Sequence, residues 1–241
     1  MNKNKIYLNY FLFIGIILSL IFIIVSYTNH IQLFTKNPHI IIKGIDYINK
    51  QEILTKINPD ELKIFTNGIK KTQKNIEKIN YVKSVKISFL LPNIYVIQII
   101  EREPIFMVTN NEYSKFYDIH GESLDVNGRS VNHFPVPIIS YDKNLFELID
   151  KQKPLQLITW IIDNNINLYN NVSEIIFNDS QIEIITDSLT KILINKSLFK
   201  KELQILNSFE NTISHVKSIS DYKYIDLTVS NKVIIKEKKH G

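Results

Sequence analysis

The chain contains no cysteine, no alanine and only two arginines, Arg102 and Arg129. Without cysteine there is no disulfide and no thiolate metal site, and the chain fits either side of a membrane. Nucleic-acid readers rely on arginine forks for base edges and phosphates. Here the net charge of +5 is carried almost wholly by lysines interspersed with acids, a pattern that reads as solvated surface. Six glycines, at 15, 44, 68, 121, 128 and 241, make no Gly-rich phosphate loop, and there is no G-x-S-x-G elbow. The six histidines are scattered, with no H-E-x-x-H and no i, i+4 pair. Asp118 and His120 sit two apart beside a turn with no third ligand near them, which favours a turn pair over a metal site. The expectation is a protein with no cofactor, no metal, no nucleic acid and no small-molecule substrate.

What remains is apolar and aliphatic. Of 241 residues, 44% are hydrophobic and 22% charged, a folded composition long enough for one large or two small domains. The skew toward Ile, Lys and Asn matches nucleotide bias in a genome and is set aside as a functional signal.

One segment bears on the compartment. Residues 10–27, Y-F-L-F-I-G-I-I-L-S-L-I-F-I-I-V-S-Y, hold no charge. As helix they extend roughly 27 Å, close to the hydrocarbon thickness of a bilayer, with a tyrosine at each end where an interfacial belt places them. A cleaved signal peptide has a shorter apolar core and a small-x-small site, neither of which is present. Lys3 and Lys5 precede the run and the next lysine is Lys36, so the positive-inside rule puts the N-terminus in the cytoplasm. The expected organisation is a short cytoplasmic tail (1–9), a transmembrane signal anchor (10–27) and a connector (28–37), with the rest outside the cytoplasmic membrane.

Beyond the anchor, His39 to Ile48 is β-rich and broken at Gly44. Asn49 with Glu52 makes a capping box opening a short helix, with Ile53, Leu54 and Ile57 inward, which N-P-D at Asn58 to Asp60 ends. A second helix from about Gly68 carries Ile69, Thr72, Ile76 and Ile79 on one stripe. S-V-K-I-S-F alternates as a half-buried strand, L-L-P-N turns the chain, and Ile94 to Ile100 returns, apolar on both faces as in a central strand. The order is β-α-α-β-β.

After Pro104 the rhythm changes. A hairpin is expected around N-N-E (Asn110 to Glu112), closing at D-I-H-G, then an extended segment at Ile138–Ile139 and a helix from Pro154 through Trp160. V-S-E-I-I-F, Q-I-E-I-I-T and K-I-L-I form a meander. A long amphipathic helix runs from about Ser197, with Leu198, Phe199, Leu203, Leu206, Phe209 and Ile213 inward. Two last strands, Val216–Ile219 and Tyr224–Lys236, close the chain. The fold class is α+β: one transmembrane helix, a β-α-α-β-β domain, and a mostly antiparallel β domain with flanking helices.

The stretch I-I-E-R-E-P-I-F, Ile99 to Phe106, poses the sharpest question. Glu101 and Glu103 in one strand would share a face roughly 6–7 Å apart, within the range of a glycosidase carboxylate pair. A general acid, however, needs a carboxyl in an apolar cleft. These two flank Arg102 at a strand end, and Pro104, lacking an N–H, stops ladder pairing. The reading is a seam between domains, formed by Glu101, Arg102, Glu103 and Pro104, where the charges are expected to set the interdomain angle.

The β-α-α-β-β unit, with I-N-Y-V-K-S-V (Ile79–Val85), L-P-N-I-Y-V-I-Q-I-I-E-R-E-P (Leu91–Pro104), D-I-H-G and Y-I-D-L (Tyr224–Leu227), resembles the FtsQ/DivIB family of bacterial cell-division proteins, in its FtsQ-like branch. The resemblance implies a POTRA-like domain over 38–104, a β domain over 105–236 and a short C-terminal tail, 237–241. It also implies a non-catalytic adaptor at the division septum that binds FtsB/DivIC- and FtsL-type partners and helps control septal peptidoglycan synthesis. In the family the partner adds a strand to the sheet edge after the D-L pair; here that carries over to Thr228, Val229, Ser230, Asn231, Lys232, Val233, Ile234 and Ile235. Thr228 and Val229 depart from the basic and aromatic residues usual there, and the glycine common after the middle proline region is absent after Ile139. An exposed edge offers unpaired amides and carbonyls to a partner strand, and alternating Leu227, Val229, Val233 and Ile235 could fill apolar pockets. The opposing expectation is that the chain's own E-K-K-H-G tail covers this edge. Two other readings exist: a POTRA protein of outer-membrane insertion or secretion, which requires a barrel the chain is too short for, and an anchored envelope hydrolase using Glu101 and Glu103.

Overall fold

Helical periodicity and strand alternation along this sequence resolve into two units that divide between Glu101 and Arg102. The computed structural model describes residues 14–25, 38–62, 65–91, 93–109, 114–141, 152–230 and 232–239. Residues 14–25 form a helix, α1, exposed throughout. Twelve residues rise only about 18 Å, and among the described residues no helix is long and apolar enough to cross a membrane. The rest of the expected anchor, 10–13 and 26–27, the connector up to Asn37, and the expected N-N-E turn at 110–112 lie outside the described residues.

The first unit is built on strands β1 (His39–Lys43), β2 (Val82–Leu90) and β3 (Ile94–Glu101), in the order β1-β3-β2. The strand with apolar residues on both faces, β3, is central, parallel to β1 and antiparallel to β2. Helices α2 (Lys50–Thr55), α3 (Pro59–Leu62) and α4 (Phe65–Ile76) complete it. Asn49 caps α2, its side chain accepting from Gln51 N. Asn58 does the same for Asp60 N (3.0 Å), starting α3 at the N-P-D expected only to end α2. Tyr95 reaches from β3 to donate to Leu62 O (2.8 Å). Its strand neighbours of the same parity, Ile97 and Ile99, are buried with it.

Close approach explains two glycines. Gly68 lies so near α3 that a Cβ there would stand 1.6 Å from Glu61 O. Gly44 follows β1 at φ +76°, with room for no Cβ beside Ile99 O.

The second unit is one sheet of nine strands: β4 (Pro104–Thr109), β5 (Ser114–Asp118), β6 (Ser123–Asp125), β7 (Ile138–Tyr141), β8 (Val172–Phe177), β9 (Gln181–Thr186), β10 (Lys191–Asn195), β11 (Tyr222–Asp226) and β12 (Ile234–Glu237). Their order is β12-β11-β10-β9-β8-β7-β4-β5-β6. Most neighbours are antiparallel; β4–β7, β7–β8 and β10–β11 are parallel, and α6 (Gln152–Asn164), α7 (Ile166–Asn171) and α8 (Phe199–Ile213) lie in two of the crossovers. A short α5 (Gly128–His133), capped by a reciprocal Asn127–Ser130 box, precedes β7. The core gathers Phe106, Ile139, Ile158, Ile161, Ile175, Ile184, Ile192, Leu203, Leu206 and Ile225. Most of the inward stripe expected of α8 is in or against it, but Leu198 is 49% exposed. The sheet has two ends and is no barrel.

Two expectations at the C-terminal end do not hold. Val216–Ile219 is not a strand: the chain turns after α8, and a Ser218–Asp221 capping box closes a 3-10 turn over Ile219–Asp221. The segment Tyr224–Lys236 is not one strand but the hairpin β11–β12. Asp226 Oδ1 accepts from Thr228 N (2.9 Å) and Thr228 Oγ1 (2.6 Å), an Asx turn that reverses the chain.

The D-I-H-G motif is held by one buried carboxylate. Asp118 Oδ2 accepts from Arg102 Nη1 (2.8 Å), and its Oδ1 accepts from His120 N and Glu122 N, both at 2.9 Å. With its side chain 3% exposed, Asp118→Ala orphans a guanidinium and two amides. The expected loss is about 3 kcal/mol, measurable by urea unfolding followed through Trp160, which packs against the core of this unit.

Candidate partner-binding edge

At one end of the nine-stranded sheet β12 pairs only with β11, and no strand among the described residues lies on its other side. All four of its residues are exposed. Which peptide groups face outward follows from alternation, since the N–H and C=O of one residue point to the same side and those of the next to the other. Lys238 N donates to Asp221 O (2.9 Å), so Lys238, Lys236 and Ile234 turn inward. Leu227 N donates to Leu193 O (3.0 Å), so Leu227 and Ile225 face β10 while Tyr224 and Asp226 face β12. The two deductions agree with the register Tyr224↔Lys236 and Asp226↔Ile234. The peptide groups of Ile235 and Glu237 therefore point away from the sheet. Ile235 shares a face with Ile225, the core side, yet is 40% exposed; Ile234 shares the opposite face with Asp226 and is 39% exposed.

Of the span Thr228–Ile235, only Ile234 and Ile235 are in the edge strand. Thr228, Val229, Ser230 and Lys232 form the connection, in which Lys232 N donates to Val229 O (3.1 Å); Asn231 lies outside the described residues. Val229 is 38% exposed, and Val233 packs against the core. Leu227 is 3% exposed and belongs to the core, so it is not available to fill a partner's pocket.

Three supports of this edge gave no sequence signal. Lys238 Nζ donates to Ser188 O (2.5 Å) and Ser220 O (2.6 Å). Glu237 pairs with Lys217, and that hydrogen bond holds the Lys217 pKa above the ordinary lysine value. Glu202, buried in the first turn of α8, accepts from Asn195 N (2.6 Å) and Asn195 Nδ2 (2.8 Å), and the same amide donates to Thr228 O (3.2 Å). The described part of the tail is thus tied inward, along the strand's own end, and not folded over its free side. The opposite end of the sheet, β6, is only three residues long, and a Lys115–Asp125 ion pair (2.5 Å) ties it back to β5.

The E-R-E-P stretch divides between the units. Glu101 ends β3, its carboxylate accepting from Tyr47 N (2.9 Å) and Ile48 N (2.8 Å). Arg102 pairs with Asp118, Glu103 is exposed, and Pro104 opens β4 opposite Asp118, with a bulge before Phe106. Both Glu101 oxygens thus serve backbone amides. Among the described residues, no group of three or more His, Asp or Glu could hold a metal ion.

Residues 37–102 match the family model described as POTRA domain, FtsQ-type. The chain carries an FtsQ-type POTRA domain. The match bears out the resemblance to FtsQ/DivIB proteins over the unit that contains β1–β3 and α2–α4. Among solved structures, the major extracytoplasmic domain of the trans isomer of the bacterial cell division protein DivIB from Geobacillus stearothermophilus is similar at 9% identity and a TM-score of 0.31. That similarity covers 49% of this chain and 98% of that one. No curated protein matches the chain. The edge strand β12 lies beyond the matched FtsQ-type residues.

Proposed function

We propose that this chain is a non-catalytic scaffold of the bacterial division complex, anchored in the cytoplasmic membrane by residues 10–27 with its N-terminus in the cytoplasm. Its bulk stands outside that membrane, at the septum. It binds FtsB/DivIC- and FtsL-type partners by strand addition and so helps control septal peptidoglycan synthesis. The FtsQ-type POTRA domain supports the division role. The observation that carries the binding mode is the free side of β12, where Ile235 and Glu237 turn their amides and carbonyls outward. Each main-chain hydrogen bond adds only about 0.5–1.5 kcal/mol net, so side chains must contribute; exposed Val229, Ile234 and Ile235 are the apolar groups beside the edge. In this reading Glu101 fixes the end of the first unit and Arg102 the start of the second.

The experiment is co-purification of the detergent-solubilised full chain with FtsB/DivIC–FtsL-type partners, repeated with Val229→Lys and Ile234→Lys. At least one of the two variants is expected to lose binding at least tenfold while Trp160 fluorescence keeps its native value. Unchanged binding by both would sink the edge as the docking site.

A further inference from the structure

The sheet of the FtsQ-type POTRA domain has a second face. Tyr95, Ile97 and Ile99 point to the helices, so on β3 the residues of opposite parity, Ile94, Val96, Gln98 and Ile100, point the other way. Cross-strand pairing fixes their neighbours. His39 and Leu90 flank Ile94, Ile41 and Ser88 flank Val96, and Lys43 and Lys86 flank Gln98, while Ser84 sits beside Ile100. Not one of these residues is a carboxylate. Lys43 and Lys86 are exposed, about 10 Å apart across the central strand. Leu90 and Ile100 are 52% and 54% exposed, and Leu91, at the β2–β3 turn, is 76% exposed. Among the described residues these three are the exposed large apolar side chains of this unit outside α1. The face is three strands wide, with apolar groups along its length and positive charge on both flanks.

We propose that this open face rests on an anionic lipid surface, the apolar residues at headgroup level and Lys43 and Lys86 against lipid phosphates. Charge complementarity is one argument: a face with cations and no acid attracts an anionic plane, and lysine stems lie along apolar surface while their ammonium groups reach phosphate. Tether length is the second. Thirteen residues separate Val25 from His39, a span of at most about 45–50 Å fully extended, so a chain anchored by residues 10–27 keeps this domain near the bilayer. The inference rests on the anchor proposed above. It does not involve β12, which belongs to the other unit.

The test uses the full chain in lipid nanodiscs. No native cysteine competes, so Gln98→Cys carries a nitroxide at the centre of the face and Lys70→Cys, exposed on α4, carries the control. In phosphatidylglycerol discs the position-98 label is expected to collide more with lipid-dissolved oxygen than with an aqueous nickel chelate, and the position-70 label the reverse. Phosphatidylcholine discs or molar salt return position 98 to water. At about fivefold in partition per lysine, Lys43→Ala with Lys86→Ala lowers contact about 25-fold. A position-98 label equally water-exposed in both lipids overturns the lipid contact alone. A chain that does not co-purify with discs overturns the anchor and this contact with it. Shielding that arises only on adding a division partner overturns it in favour of a protein surface.

Discussion

Ile235→Pro is expected to bind an FtsB/DivIC-type partner at least thirtyfold more weakly than the parent chain while remaining folded. The N–H of Ile235 points to the free side of β12, so proline removes a donor that the β11 ladder does not use. An incoming strand loses that hydrogen bond and meets the pyrrolidine ring where it should seat its carbonyl. Together these amount to about 2 kcal/mol or more, which is the thirtyfold. The matched control is Ile234→Pro, whose N–H points to β11: it is expected to unpair the hairpin itself and to lower the urea midpoint. Isothermal titration and urea unfolding of both variants separate the two effects. If the two prolines weakened binding and stability alike, the assignment of inward and outward peptide groups would be wrong.

Gly44→Ala is expected to remove a third or more of the stability of the FtsQ-type POTRA domain. Two costs coincide at this residue. Its φ of +76° disfavours any side chain, by about 1 kcal/mol for alanine. In addition, the new Cβ would stand 2.2 Å from Ile99 O, a backbone atom of the central strand that cannot swing aside. Forcing β1 and β3 apart adds about 2–3 kcal/mol. The sum, about 3–4 kcal/mol, compares with the roughly 3–10 kcal/mol that a unit of about 65 residues commands. Hydrogen exchange of the β1–β3 amides reads this directly. The Trp160 transition, which reports the separate core of the second unit, is expected to stay where it was.

Sequence periodicity reached much of this architecture because most long elements bury one face. The alternation in S-V-K-I-S-F, the apolar run of β3 and the stripe of α8 each marked an element that exists. The short pieces escaped: α3, α5 and β6 are three to six residues long, too short for a period, and form through side-chain caps such as Asn58 and the Asn127–Ser130 pair. The two expected closing strands differ from the observed ones for a related reason. Y-K-Y-I-D-L-T-V-S-N-K-V-I-I-K reads as continuous β-former, and only the geometry of the Asp226 carboxylate shows that the chain doubles back at Thr228. For the candidate site, the sequence resemblance pointed to the residues after the D-L pair. It could not tell that Leu227 is core, that the edge proper is Ile234–Glu237, or that Lys238 and Glu202 hold it in place, because those ties run to backbone carbonyls and amides 18–50 residues away or across a helix start.

The parallel pairing of β10 with β11 has a consequence for the timing of assembly. β11 is joined to β10 through α8, and among the described residues β12 has no strand neighbour but β11. The outermost strand is thus the last rung of a sequential zipper whose earlier rungs span about thirty residues of intervening chain, the slow kind of contact in a folding reaction. A molecule with α8 still undocked would display no edge at all. Under the docking proposed at β12, a partner would capture only molecules whose α8 and β11 are already in place.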